Sequence, residues 1–190
     1  MLESLPALVT IAAAGGLYMY RRGELHVKQA PADMTQEQIK TGWRKLGFFC
    51  ELDDQRRAWT LTGSRSGLLY FPDLLLGYVG DPENASNGKR AHFGSYGSLE
   101  VMTSPVSGLD AHAIHGTLQG LTHLAELVEA KLAFAEVGSR LRIRDEFAPA
   151  SQYSLLLDVR ADGFDPSTAD RERLGAAVQR NSEPKVSVPA

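Results

Sequence analysis

The side chains best suited to chemistry in this sequence are crowded into one stretch. Residues 111–138, "AHAIHGTLQGLTHLAELVEAKLAFAEVG", hold three of the five histidines: His112, His115 and His123. Three imidazoles invite a metal-site reading, in which their nitrogens would converge to about 2.0–2.1 Å from one zinc ion. The spacing argues against it. Leu118, Leu121, Leu124, Ala125, Val128, Leu132 and Ala135 fall in one arc when residues are placed about 100° apart. A helix is therefore expected from about Thr117, as its cap, to Ala135, closed by Gly138. His123 then lies on the outer face, whereas His112 and His115 precede the cap. Neither a metal site nor a cofactor is expected.

Other catalytic signatures are also missing from the sequence. Cys50 sits in the apolar run "LGFFCEL" and reads as a small core residue rather than an activated thiol. There is no G-x-S-x-G elbow and no phosphate-binding P-loop, and "AAAGGL" lacks the strand-turn-helix setting of a dinucleotide fingerprint. Glu51, Asp53 and Asp54 fall at a turn, where acids are ordinary. No catalytic residue is assigned. One polar set remains, Arg90, His92 and Tyr96, within the long connection "GDPENASNGKRAHFGSYG" at 80–97. Connections of this length in compact domains are commonly functional or disordered, so these three residues are the candidate ligand-binding set.

The same helix offers a second kind of site. His123, Leu127, Ala130 and Phe134 repeat in steps of four, three and four along its outer arc. A helix that only covers a sheet is polar there, so this stripe is the candidate partner-binding surface, for a protein partner or a second copy of the chain.

The surrounding elements follow from pattern. "TQEQIKTGWRKLGFF" reads as a short helical lead-in capped by Thr35 and stopped by Gly42. "LGFFCEL" and "RAWTLT" flank Asp53-Asp54-Gln55 as a β-hairpin with Trp59 and Leu61 inward. A helix follows from about residue 69 to Gly80, its start limited by Pro72. "SLEVMTS" at 98–104, "SRLRIRDEF" at 139–147 and "YSLLLDVR" at 153–160 read as strands, the second with its arginines in solvent. The order β-β-α-β-α-β-β implies an α+β fold: a mainly antiparallel sheet of about five strands with two helices packed on one face.

In domain terms, residues 1–22 are a hydrophobic N-terminal segment, 23–42 a connector and 43–165 a single α+β domain. Residues 166–190 are expected to hold a weak helix, with Asp165 as its cap and Pro166 at its first position, and a disordered tail. The 16 uncharged residues from Leu5 to Tyr20 would span roughly 24 Å as a helix, short of a hydrocarbon core of about 30 Å. Three readings stand: a short membrane anchor through residues 5–20, a packed helix, or an over-extended gene start with initiation at Met19 or Met34. Each leaves the main domain facing the cytoplasm, by the Arg21-Arg22 pair and the single cysteine.

Charge narrows the partners. Lys and Arg total 20 against 23 acids, for a net charge of −3, and the basic residues are scattered, so nucleic acid is not an expected partner. The landmarks "GWRKLGFFCELDD", "WTLTGSRSGLLYF", "HFGSYGSLEVMT", "IHGTLQGLTHLAELVEAKL" and "YSLLLDVRADGFDPSTAD" resemble a small bacterial domain family of the immunity-protein type over residues 43–170. That resemblance implies a protein that works by binding and neutralising a partner. The leading expectation is thus a non-enzymatic bacterial protein-interaction domain. Two others stand beside it: a small hydrolase or ligand-binding enzyme using the 80–97 loop, and a membrane-associated accessory protein.

Overall fold

Helix α1 (Gln36–Leu46) begins with a reciprocal cap. The Gln38 amide donates to Thr35 Oγ1 at 3.2 Å, and the Thr35 amide donates to Gln38 Oε1 at 2.7 Å. These two bonds satisfy donors that the first turn leaves open. The helix runs through Gly42, the expected stop, and ends at Gly47, whose φ of 85° suits a glycine. Gly42 is small for a different reason: a Cβ there would overlap Ser95 Oγ. In this computed structural model, residues 34–170 are described. The N-terminal segment with its anchor reading, and the tail beyond Asp170, lie outside them. Among the described residues, no helix is long and apolar enough to cross a membrane.

The remaining order is β1 (Phe49–Asp53), β2 (Ala58–Ser64), the one-turn α2 (Arg65–Leu68), α3 (Tyr70–Gly80), β3 (Arg90–Phe93), β4 (Leu99–Thr103), β5 (Gly108–Leu109), β6 (Ile114–Gly116), α4 (Leu118–Ala133), β7 (Arg140–Ile143) and β8 (Ser154–Arg160). Short 3₁₀ turns occupy Pro82–Ala85, Ser95–Gly97 and Pro166–Ala169. The fold is α+β, as expected, but the single antiparallel sheet is not. Two four-stranded mixed sheets form instead, in the orders β1-β2-β8-β7 and β3-β4-β6-β5. The extra strands are the short β3, β5 and β6, which lie in stretches that read as loop. Only Pro166–Ala169 of the expected C-terminal helix falls among the described residues, as a 3₁₀ turn.

A repeat organises these sheets. "GSRSGLLYFPDLL" at 63–75 and "GTLQGLTHLAELV" at 116–128 share glycines, a Ser/Thr and apolar residues at matched positions. In both, the hydroxyl caps a helix: Gly67 N–H donates to Ser64 Oγ at 3.1 Å, and Gly120 N–H to Thr117 Oγ1 at 2.9 Å. Around each helix the order is the same, hairpin, helix, hairpin. Each sheet joins the first hairpin of one unit to the second hairpin of the other. The central parallel pairs have matching register: Leu61 opposite Leu157 and Gly63 opposite Val159 in one sheet, Ile114 opposite Val101 and Gly116 opposite Thr103 in the other.

The units close on one apolar core. α4 buries Leu121, Leu124, Ala125, Val128 and Leu132, the arc expected from its spacing. α3 adds Phe71, Leu75 and Tyr78, and the sheets add Trp59, Leu61, Leu155 and Leu157 from one and Leu99, Val101 and Ile114 from the other. Alternation then forces the polar residues of each strand outward. That gives each sheet a polar face turned away from the core.

Candidate functional site

The outward face of the β1-β2-β8-β7 sheet is walled. One wall is the chain from Phe164 to Asp170, which the repeat does not share, and α1 packs behind it. They meet at Asp170, which is 5% exposed. Its Oδ2 accepts Trp43 Nε1–H at 2.9 Å and the Tyr96 hydroxyl at 3.3 Å. Trp43 is fully buried and meets Phe49 and Tyr96 edge-on, with centroids 4.8 Å and 5.7 Å apart. Aromatic pairs favour this geometry.

The second anchor is an ion pair. Arg44 Nη2 lies 2.8 Å from Asp165 Oδ2, while Asp165 Oδ1 accepts the Ser167 amide at 3.0 Å. Arg44, followed by the Ser167 bonds, outweighs burial and holds the Asp165 carboxyl down to about 2. The Pro166–Ala169 turn is thereby fixed to α1. In front of this wall lies a cleft of about 630 Å³, within the range of ligand sites. Its floor includes Thr60, Thr62, Leu156 and Asp158, and its rim Tyr96, Ser98 and His112. Asp158 is flanked by Arg160 at 2.8 Å and Arg140 at 3.5 Å.

Tyr96 has a φ of 48°, a left-handed conformation that costs a non-glycine residue energy and persists only where its surroundings enforce it. Gly94 and Gly97, with φ of 79° and 64°, form the turn that presents it. The expected ligand-binding set is therefore split. Tyr96 faces the cleft, whereas Arg90 and His92 lie on the outward face of the other sheet. There Arg90 Nη1 sits 2.9 Å from Glu100 Oε1 and His92 Nε2 3.2 Å from Glu100 Oε2. The division follows from β3, a strand that the sequence reading leaves as loop.

The three histidines of the opening stretch are also separated. His112 lines the cleft, His115 belongs to β6, and His123 lies on α4 with Nδ1 3.7 Å from Glu126 Oε2. Among the described residues, no group of three or more His, Cys, Asp or Glu side chains could hold a metal ion. Of the expected partner stripe, His123 and Ala130 are exposed, Leu127 is half-buried against the core, and Phe134 is 91% exposed.

His115 closes the turn beneath His112. Its Nε2 lies 3.4 Å from Asp110 Oδ2 and its Nδ1 3.1 Å from the Val106 carbonyl oxygen. Asp110 Oδ1 accepts the His112 and Ala113 amides at 2.7 Å and 2.9 Å. Asp110 raises the His115 pKa, burial opposes it, and the Val106 carbonyl adds to the rise. Burial pushes the Asp110 carboxyl up, but His115 and the two amides outweigh it and hold it well below the usual range. The His115 contribution is complete below its ordinary value of 6.5 and is lost as pH rises through the raised one. The Asp110 contribution is complete above 3.8 and is lost as pH falls through the lowered one. Urea melts are expected to show the pair's full contribution between about pH 4 and 6.5, and His115→Gln is expected to flatten the alkaline limb.

Sequence reasoning missed Trp43 and Asp170 as site residues. Trp43 stood only as the first residue of the expected α+β domain, and Asp170 fell in the expected weak C-terminal helix. The available signal was the unshared material on either side of the repeat. No protein-family model, curated protein or solved structure matches the chain.

Proposed function

We propose that the chain is a non-enzymatic protein-interaction domain, with the cleft on the β1-β2-β8-β7 sheet as the surface that receives a segment of its partner. One observation carries this reading: Asp170, Trp43 and Tyr96 fix one wall of the cleft before anything binds, and they do so with Tyr96 in a costly conformation. Preorganisation lowers the entropy lost on association. His92, His115 and His123 pair with carboxylates, and His115 also with a backbone carbonyl, an arrangement suited to shaping a surface. The immunity-type resemblance points the same way, to neutralisation of a partner in a bacterial cytoplasm.

A second surface has an observation of its own. Phe134 is 91% exposed at the end of α4, with Val137 67% exposed beside it, and such exposure of apolar side chains marks a contact site when the patch is continuous. A random heptapeptide display library selected against the full-length protein separates the two readings. Thr60→Trp fills the middle of the cleft floor on a strand face that tolerates aromatics. The expected result is that selected peptides lose binding to Thr60→Trp and keep it with Phe134→Asp. The reverse pattern would move the contact to α4.

A further inference from the structure

The charges along the cleft are unevenly satisfied. On β8 Asp158 is shared by two guanidinium groups, at 2.8 Å and 3.5 Å, and at the β1–β2 turn Arg56 lies 3.4 Å from Asp53. In the wall, Asp170 has no cationic partner among the described residues. Both of its described donors, Trp43 Nε1–H and the Tyr96 hydroxyl, are neutral and fall on the same oxygen. A carboxylate that is 5% exposed has lost most of its hydration, and two neutral hydrogen bonds compensate that loss less completely than a cation does.

An independent observation comes from the same wall. Ser98 Oγ is buried and has no hydrogen-bond partner among the described residues, and Ser98 lines the cleft. Buried polar atoms are rarely left unpaired, and a hydroxyl oxygen can accept from an incoming N–H. Phe49 and Tyr96, whose rings both meet Trp43, also line the cleft, and the faces of such rings attract cations.

We propose that the Asp170 wall of the cleft receives the cationic head of a basic side chain, lysine or arginine, presented by the partner segment, with Asp170 as its counter-ion and Ser98 as an acceptor. This inference rests on the cleft being the contact surface. It assigns the wall at Asp170 to charge recognition and leaves Asp158, already paired with arginines, to the polar remainder of the segment.

The test is an NMR titration of the full-length protein with Nα-acetyl-lysine methylamide, Nα-acetyl-arginine methylamide and Nα-acetyl-glutamate methylamide, read at the Trp43 indole N–H and the Ser98 amide. A basic probe is expected to shift both signals and to bind about tenfold tighter than the glutamate probe, the scale of one charge-assisted hydrogen bond. Asp170→Asn, which keeps an acceptor for Trp43 and Tyr96, is expected to remove that preference. If this variant does not fold, the ionic-strength dependence of the wild-type protein serves instead: basic-probe affinity is expected to fall as salt rises. Equal binding of the glutamate probe, no shift with any probe, or basic-probe binding indifferent to both Asp170→Asn and salt would overturn the inference. Selected peptides that depend on Thr60 yet carry no basic residue would overturn it and leave the cleft reading standing. Absence of any Thr60-dependent peptide would remove both.

Discussion

Gly67→Ala is expected to lower the unfolding free energy by about 3 kcal/mol, at the upper end of overpacking costs. The matching substitution in the second unit, Gly120→Ala, is expected to change it by no more than about 1 kcal/mol. The two glycines hold equivalent places in the repeat, one turn into a helix and three residues after its hydroxyl cap, so local helix physics treats them alike. Their neighbours differ. A Cβ at Gly67 would run into the carbonyl oxygen of Gly47, part of a backbone held by the end of α1. A Cβ at Gly120 would meet Ser107 Oγ at 2.7 Å, the tip of a side chain that can rotate away. Chemical denaturation of both variants checks the contrast. Equal losses would mean that the repeat, and not α1, sets the demand for glycine.

Trp43→Ala is expected to cost about 4 kcal/mol, the range for removing a buried tryptophan, and Trp43→Phe about 1–2 kcal/mol, mainly from the lost hydrogen bond. The difference separates two roles. The ring fills the space between Phe49 and Tyr96 and closes the core under α1, and phenylalanine keeps much of that packing. The indole N–H alone reaches Asp170, and without it the carboxylate retains only the Tyr96 hydroxyl among its described donors. Thermal melts rank the variants. The Tyr96 amide signal in NMR reports the functional consequence, because loss of the Asp170 anchor is expected to broaden or shift it in Trp43→Phe even though the fold survives. A Tyr96 signal unchanged from wild type would show that its conformation is set by Gly94 and Gly97 alone.

The helices were legible because their periodicity and caps are local. Thr117 and Thr35 cap the helices assigned to them, and the buried arc of α4 follows from a spacing of three and four residues. The sheets were less legible, for two physical reasons. The strands β5 and β6, of two and three residues, are too short to show alternation, and the four residues of β3 sit inside a polar connection. The central parallel pair of the first sheet also joins Leu61 to Leu157, a contact that no local pattern encodes. The repeat itself was readable in the paired "G-[ST]-x-x-G-L" stretches, and finding it first would have replaced one sheet of about five strands by two matched halves. The cleft was least legible. Its anchoring contacts span 127 and 74 residues, from Trp43 and Tyr96 to Asp170, so none of the three carries a signature in its own surroundings. Tyr96 was identified within its loop, but without β3 it could not be separated from Arg90 and His92.

The outer stripe of α4 shows how a correct pattern can bear on two outcomes. Its spacing is real, yet Leu127 turns far enough toward the core to be half-buried, which leaves Phe134 to carry the apolar exposure. Substituting Phe134 with Asp is therefore expected to leave stability within about 0.5 kcal/mol of wild type, as for most surface changes. Any effect it has on binding then reports contact rather than unfolding.

The most direct measurement is a ¹H–¹⁵N NMR titration of the full-length protein with a peptide recovered from the display selection. If the cleft is the contact surface, the largest shifts fall on the Trp43 indole and on the amides of Thr60, Thr62 and Leu156. Shifts confined to His123, Leu127, Ala130 and Phe134, with the cleft signals unmoved, would contradict that account.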